Sequence, residues 1–208
     1  MTKKQTDSGS SAAGKKNLFQ KRQLQIVKKA AKLFMKKGYA QTSMRQISRA
    51  TGIDISNLYY FIESKEDILF RVFEMIHRPE SEIFHRQEII GIEDPALRLR
   101  LVLREILNVA YMHKEEILLL YRESKLLPDK LRKQILIKES HFVTHIEEIL
   151  KTGLEKRVFE FKDASFTANM IIFELSLYPL RSWNLKRHSK EELIDLVEAH
   201  IMKAVMAV

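Results

Sequence analysis

An all-α fold in two modules is what the sequence predicts, and three observations predict it. The 208 residues include only six glycines and four prolines, a poverty that favours long helices over hairpins and strand–turn repeats. Apolar residues recur with the helical period from about residue 24 onward and keep that pattern beyond Asp94. Charge is unevenly placed: residues 1–76 carry 15 Lys/Arg against 6 Asp/Glu, whereas residues 77–208 carry 21 of each. A polyanion-binding module followed by an electrically balanced one fits that asymmetry; a lysine-rich solvated helix face is the plainer alternative. No cysteine is present, which excludes disulfides, thiolate catalysis and cysteine-based metal sites and suits a reducing compartment. The N-terminus lacks the apolar segment of a signal peptide, and no stretch approaches the roughly 20 apolar residues of a membrane span. A soluble, cytoplasmic protein without membrane contact is expected.

The elements follow in order. Residues 1–16, MTKKQTDSGSSAAGKK, read as a disordered basic tail. Leu24, Val27, Ala31 and Phe34, widened by Ile26, Ala30 and Leu33, make a helix that stops at Gly38. In TSMRQISRATGI, Ser43 followed three residues later by Gln46 is a capping-box signature, and Gly52 closes the short helix. Asp54 caps another short helix, 55–61, and Ser64 and Asp67 open a long one. Two short helices joined by a glycine turn are a helix-turn-helix. In the second, Ile55, Leu58 and Ile62 share a face expected to pack inward, leaving Tyr59 and Tyr60 outside beside Ser56 and Asn57. On a basic module that surface suits DNA, because phenol hydroxyls reach phosphates and asparagine pairs bidentately with adenine. The expected domains are 17–63 for DNA binding and 64–208 for the second module, with helix 64–87 as connector.

Residues 22–69 resemble the N-terminal domain of the tetracycline-repressor (TetR) family of bacterial regulators, through IVKKAAKLFMKKGY, TSMRQISRATGI and NLYYFIESKEDIL in that order. The resemblance implies an all-helical homodimer that reads a palindrome in double-stranded operator DNA and binds a small ligand in its C-terminal domain. By position, Ser43 and Arg45 would touch phosphates, with Arg45 also within reach of a base edge. Ser56, Asn57 and Tyr60 would line the major groove, Tyr59 would hold a phosphate, and Lys65 would anchor the backbone from the next helix. Two positions depart from the family pattern. Phe61 cannot donate a hydrogen bond where polar residues or tyrosine are common, and Ile55 would meet a thymine methyl rather than a polar base edge.

In the second module, Asp94 and Pro95 cap a helix, KEEILLLYRESKLL ends at Pro128, and DKLRKQILIKESHFVTHIEEILKTG is a long helix closed by Gly153. The segment 164–183 is apolar almost all round, and Ser189 with Glu192 boxes the start of the last helix. A helix apolar on every side must be covered on every side. With the last helix it is therefore the expected two-fold dimer interface, through Leu175, Tyr178, Ile194, Val197 and Ile201. Pro179 should kink or end it, having no N–H for the carbonyl of Leu175. Glu174, Tyr178 and Arg181 recur at i, i+4 and i+7, as a polar patch in a cavity or as a surface or interface ion pair.

The stretches LLLYRESKLLP, GLEKRVFEFKD and LRSWNLKRH loosely resemble TetR-type regulators of fatty-acid and steroid catabolism, whose effectors are acyl-CoA thioesters. That implies an apolar tunnel with cations at its mouth. Tyr111, Tyr121, Phe142 and Phe173 would line it, and Arg122, Arg181 and Arg187 would supply charge. His141, His145 and Glu148 share one face where a metal site is geometrically possible, although histidines on a charged helix are usually solvated. No metal or other cofactor is assigned.

The leading expectation is a ligand-responsive transcriptional regulator, a repressor released from a palindromic operator by a small apolar, fatty-acid or acyl-CoA effector. The alternatives are a non-specific nucleoid-type DNA binder, which predicts steep salt dependence with little discrimination, and an all-helical ligand carrier or enzyme. No nucleophile–base spacing, phosphate-cradling glycine loop or complete metal motif is present, so no catalytic residue is assigned.

Overall fold

The computed structural model describes residues 8–207. Among them the chain is helical apart from loops and one isolated antiparallel bridge between Phe159 and Met206. None of these helices is long and apolar enough to cross a membrane. The chain divides into two compact units, the first ending at Val72 and the second beginning at Phe73.

The first unit holds α1 (Ser8–Lys37), α2 (Met44–Thr51), α3 (Ile55–Phe61) and the first turns of α4 (Lys65–Phe84). Because α1 starts at Ser8, residues 8–16 are helical rather than the expected tail; residues 1–7 lie outside the described residues. Ala12, Ala13, Lys15 and Lys16 are good helix formers, and extending an existing helix adds one hydrogen bond per residue fixed. Ile26, Val27, Ala30, Ala31 and Phe34 of α1 pack with Ile47, Leu58, Ile62, Ile68 and Leu69 as a buried core. Leu24, expected in that stripe, is exposed.

Local hydrogen bonds fix the turns. Gly38 ends α1 at φ +88°, a conformation side chains disfavour, with its N–H 2.8 Å from the carbonyl of Phe34. Ser43 and Gln46 form both arms of the capping box. Gly52, at φ +73°, closes α2, and Ser48 Oγ donates to the carbonyl of Ile53 at 2.6 Å. Asp54 then accepts from the backbone N–H of Asn57 at 3.0 Å and starts α3.

The second unit continues α4 from Phe73 and adds α5 (Gln87–Ile90), α6 (Pro95–Met112), α7 (Lys114–Glu123), α8 (Asp129–Glu155), α9 (Ala164–Leu175), α10 (Leu177–Arg181) and α11 (Lys190–Val205). Its core joins Leu99, Val102, Leu103 and Ile106 of α6 with Ile146 and Ile149 of α8, Ile171 of α9, and Ile201 and Met202 of α11. Glu198 of α11 is buried among them, yet its carboxylate accepts from Arg100 at 2.7 Å and Arg104 at 2.6 Å. A buried charge needs such partners, and here they tie α11 to α6. Hydrogen bonds to Glu198 and Asp195 hold the guanidinium pKa of Arg104 above its usual value.

Two expected boundaries move. α8 runs past Gly153 to Glu155, so this glycine is not a helix stop. The ring of Phe159 lies on it: a Cβ at Gly153 would sit 1.8 Å from Phe159 Cδ2. Just past the helix the chain reverses at Arg157, in the left-handed region at φ +57°, with the N–H groups of Val158 and Phe159 returning to the carbonyl of Gly153. The single helix expected at 164–183 breaks at Ser176. Pro179 cannot continue α9 because it has no donor for Leu175, but it is tolerated in the first turn of α10.

Candidate DNA-reading face and ligand cavity

In the first unit, α3 buries Leu58 completely and exposes Ser56, Asn57, Tyr59 and Tyr60, the last at 71%. Ile55 is also exposed, against expectation: it is the first residue of α3, at the open end of the helix, so Leu58 and Ile62 carry the packing. The side-chain amide of Asn57 donates to Asp54 Oδ2 and must exchange that bond to pair with a base. The backbone N–H of Asn57, then its side chain, holds the carboxyl of Asp54 below its usual pKa.

Ser43 is committed to the capping box, its Oγ 3.3 Å from the Gln46 backbone nitrogen. Arg45 is exposed and makes no ion pair among the described residues, and the same holds for Arg49 on α2. Lys65 is half-buried: its Nζ donates to the Tyr39 carbonyl at 3.0 Å and lies 4.5 Å from the centre of the Tyr39 ring. The Tyr39 hydroxyl donates to Glu66 Oε1 at 2.9 Å. Burial pushes the Glu66 pKa up, but its own backbone N–H and the Tyr39 hydroxyl outweigh it and leave the carboxyl below its usual value. Lys65 thus braces the α1–α2 turn while retaining further donors.

Two residues that sequence reasoning missed also bear on this face. Phe19 meets Tyr60 edge-on, with ring centres 5.5 Å apart, and lies 5.1 Å from Phe61. Gln23 Nε2 donates to the Phe61 carbonyl at 2.7 Å, at the end of α3. The signal was legible as an N-terminal continuation of the α1 stripe, since 19, 23, 26 and 30 follow the spacing of one helix face.

In the second unit a cavity of about 630 Å³ opens among α4, α6, α7, α8 and α9. Ile106, Ala110, Ile117, Ile135 and Ile172 supply apolar wall, while Ser124, Ser140 and Asn169 supply polar groups. Of the expected ligand residues, Tyr121 and Phe142 line it. The Tyr121 hydroxyl donates to Ser176 Oγ at 3.2 Å. The other four are elsewhere. Tyr111 stacks on Tyr178 with ring centres 4.4 Å apart, and hydrogen bonding to Tyr178 raises its pKa. Phe173 faces outward at 59% exposure, Arg122 is exposed beside Glu123, and the guanidinium of Arg181 lies 5.2 Å from the Trp183 ring. Arg187 donates to His188. Glu174, Tyr178 and Arg181 therefore form no common patch, since Glu174 pairs with His200 at 2.8 Å.

A smaller cavity of about 290 Å³ is lined by Glu74, Arg78, Lys138, His141 and His145, and shares His77 and Phe142 with the larger one. Lys138 pairs with Glu74 at 2.7 Å and His77 with Glu139 at 2.9 Å. His145 stacks on Phe84 and pairs with Glu148 at 3.6 Å, while His141 is exposed. Among the described residues no three His, Asp or Glu side chains converge on a point that suits a metal ion.

The residues expected at a dimer interface are already occupied. Leu175, Ile194, Val197 and Ile201 are buried in this unit's own core, and Tyr178 is covered by Tyr111. Exposed instead are Phe166, Met170, Phe173 and Leu177 along α9 and α10, and Leu196 on α11. The reason is phase: α9 is apolar all round, so its sequence does not say which side its neighbours take. Ala168, Ile171 and Leu175 take the core, leaving the opposite stripe.

A basic unit that offers the outer face of its second short helix, followed by a helical unit with a ligand-sized cavity, defines a helix-turn-helix transcriptional regulator. Residues 26–72 match the family model of the bacterial regulatory proteins of the tetR family, and residues 93–176 match its tetracyclin repressor-like C-terminal domain. The chain belongs to the TetR family. It is 28% identical to the HTH-type transcriptional regulator HbdR of Aromatoleum sp. (strain CIB), over 87% of this chain and 81% of HbdR. Among solved structures, a tetR-family regulatory protein from Rhodococcus RHA1 superposes with a TM-score of 0.82 at 15% identity, covering 90% of this chain and 98% of its own. AibR, solved with isovaleryl coenzyme A and operator DNA, superposes with a TM-score of 0.75 at 22% identity, covering 86% of this chain and 97% of its own.

Proposed function

We propose that this chain is a homodimeric, cytoplasmic repressor released from a palindromic operator by an acyl-CoA or related small apolar effector. The observation that carries the reading is the cavity of about 630 Å³, whose volume and mixed apolar and polar wall suit a small organic ligand. That AibR was solved with isovaleryl coenzyme A and operator DNA supports an acyl-CoA on the same fold.

In this reading residues 17–63 bind DNA and 64–208 bind ligand and partner. Arg45, Ser56, Asn57, Tyr59 and Tyr60 meet the operator, with Ser43 and Lys65 holding the geometry of the turn. Tyr121 and Phe142 contact the effector. The exposed stripe of Phe166, Met170, Phe173 and Leu177 with Leu196 covers a second copy, in place of the five residues first expected. Dimerisation sets two α3 helices about one turn of DNA apart, roughly 34–36 Å, to read two half-sites. Helix α4 supplies Lys65–Val72 to the DNA-binding unit and Phe73, Ile76 and His77 to the cavity wall. A ligand that favours one position of α4 thereby shifts the population of DNA-competent dimers.

Native mass spectrometry of the purified protein with CoA thioesters of increasing acyl length tests the effector. A dimer with up to one adduct per protomer at a preferred length is expected. A dimer that takes up no thioester at any length rules out the acyl-CoA.

A further inference from the structure

The matched TetR segment begins at residue 26, yet α1 is helical from Ser8, and the added turns do not run free. Phe19 packs on Tyr60 and Phe61, and Gln23 closes on the last carbonyl of α3 at 2.7 Å. Both contacts lie inside the first unit, so this part of α1 is seated on the end of the DNA-reading helix. The same turns are strongly basic: residues 14–25 contain Lys15, Lys16, Lys21 and Arg22, all exposed, and no acidic residue. Lys15 and Lys16 stand four and three residues before Phe19, on the helix face that meets α3. They lie about 4.5–6 Å further along the axis, one turn beyond the Tyr60 contact. Neither makes an ion pair among the described residues.

We propose that the N-terminal extension of α1 is a second DNA-contacting element, in which Phe19 and Gln23 dock the helix against α3 and Lys15 and Lys16 bind backbone phosphates flanking the half-site. The inference rests on the operator-binding reading and adds to it a contact outside the helix-turn-helix. Phosphate contacts position a protein without reading sequence, so the extension raises affinity and fixes the approach of α3 while the α3 face supplies discrimination. Phe19 is a positioning residue: it backs the ring of Tyr60, whose other side remains open to the groove.

The test uses the full-length protein and the duplex it selects from a pool of random 30-mers, with an arbitrary duplex for comparison. Two phosphate contacts per protomer, four per dimer, contribute about 3.6 to the slope of log affinity against log salt, equivalent to roughly 1000-fold in affinity near 0.15 M salt. Lys15→Gln with Lys16→Gln is expected to lower the slope by about that amount on both duplexes and to leave the thermal melt unchanged. Lys125→Gln with Lys130→Gln, an equal charge change in the second unit, is expected to leave the slope unchanged. Hydroxyl-radical footprinting should lose protection outside the half-sites in the Lys15/Lys16 variant and keep it within them. Equal slopes for the two double variants, or unaltered flanking protection, overturn the proposal while operator binding stands. A wild-type protein that selects no duplex removes operator binding itself, and the extension with it.

Discussion

Replacing Gly153 with alanine separates two opposite expectations for the same residue. By helix propensity alone the change should stabilise, since glycine inside a helix costs about 1 kcal/mol relative to alanine. The packing says the reverse. The added Cβ would meet Phe159 Cδ2, Cε2 and Cγ at 1.8, 2.3 and 2.6 Å, well inside van der Waals contact. Phe159 is only 3% exposed. Its backbone is held by its N–H to the Gly153 carbonyl, while neighbouring Glu160 and Val158 are bonded to Val205 and Ala207. The ring must therefore leave its place in the core. Overpacking typically costs about 1–3 kcal/mol, and losing a buried phenylalanine about 3–5 kcal/mol. With the ring expelled, the propensity gain of about 1 kcal/mol leaves a net destabilisation of about 2–4 kcal/mol, or roughly 4–16 °C in Tm for a unit of this size. Urea and thermal melts at fixed protomer concentration read it. In a double-variant cycle, Phe159→Ala should remove most of the penalty of Gly153→Ala, because the two act on one contact. A Gly153→Ala protein as stable as the wild type, or more so, refutes the reasoning.

Tyr60→Phe removes only an exposed hydroxyl from each protomer, so affinity for the selected duplex should fall roughly 30-fold with an unchanged melt, the size of two ordinary hydrogen bonds of about 1 kcal/mol each; unchanged affinity would take Tyr60 off the DNA-reading face. Phe166→Glu with Phe173→Glu should yield a monomer by sedimentation at concentrations where the wild type is a dimer, and a persisting dimer would place the interface elsewhere. The depressed pKa of Asp54 means its carboxylate stabilises the fold above the unfolded value near 4 and loses that contribution as pH falls through the folded value. Asp54→Asn retains a good cap without a titrating group. The melting difference between wild type and Asp54→Asn should therefore be constant near neutrality and change only below about pH 4, and a difference independent of pH across that range would count against the cap.

The sequence was most legible where one residue fixes its own neighbourhood. Ser43 with Gln46, Gly52 and Asp54 are local devices that do in the fold what their spacing announces, whereas Ser189 caps α11 through its hydroxyl alone and the Glu192 carboxylate, expected to close a box, pairs with His188. Legibility fell wherever a distant partner decides. Gly153 reads as a helix stop until Phe159, six residues on, folds back over it. Leu175 reads as a partner face because α9 is apolar on all sides, and Ile194, Val197 and Ile201 of α11 follow it because their stripe suits a partner as well as a core; only packing among α6, α8, α9 and α11 buries all four. Tyr111 and Arg181 read as ligand groups by chemistry, whereas the cavity wall is made mainly of isoleucines indistinguishable in sequence from ordinary core. Phe19, inside the expected 17–63 domain, carries no local sign of its partners, because Tyr60 and Phe61 lie about 40 residues further along the chain.

The central claim is that a ligand held in the second unit controls DNA binding by the first. Fluorescence anisotropy of the selected duplex bound to the wild-type dimer, titrated with CoA thioesters of increasing acyl length, measures that coupling directly. The account predicts release that saturates at about one thioester per protomer, depends on chain length and is not produced by free coenzyme A. A complex that keeps its duplex at saturating concentrations of every thioester, including any shown by mass to bind, would contradict it.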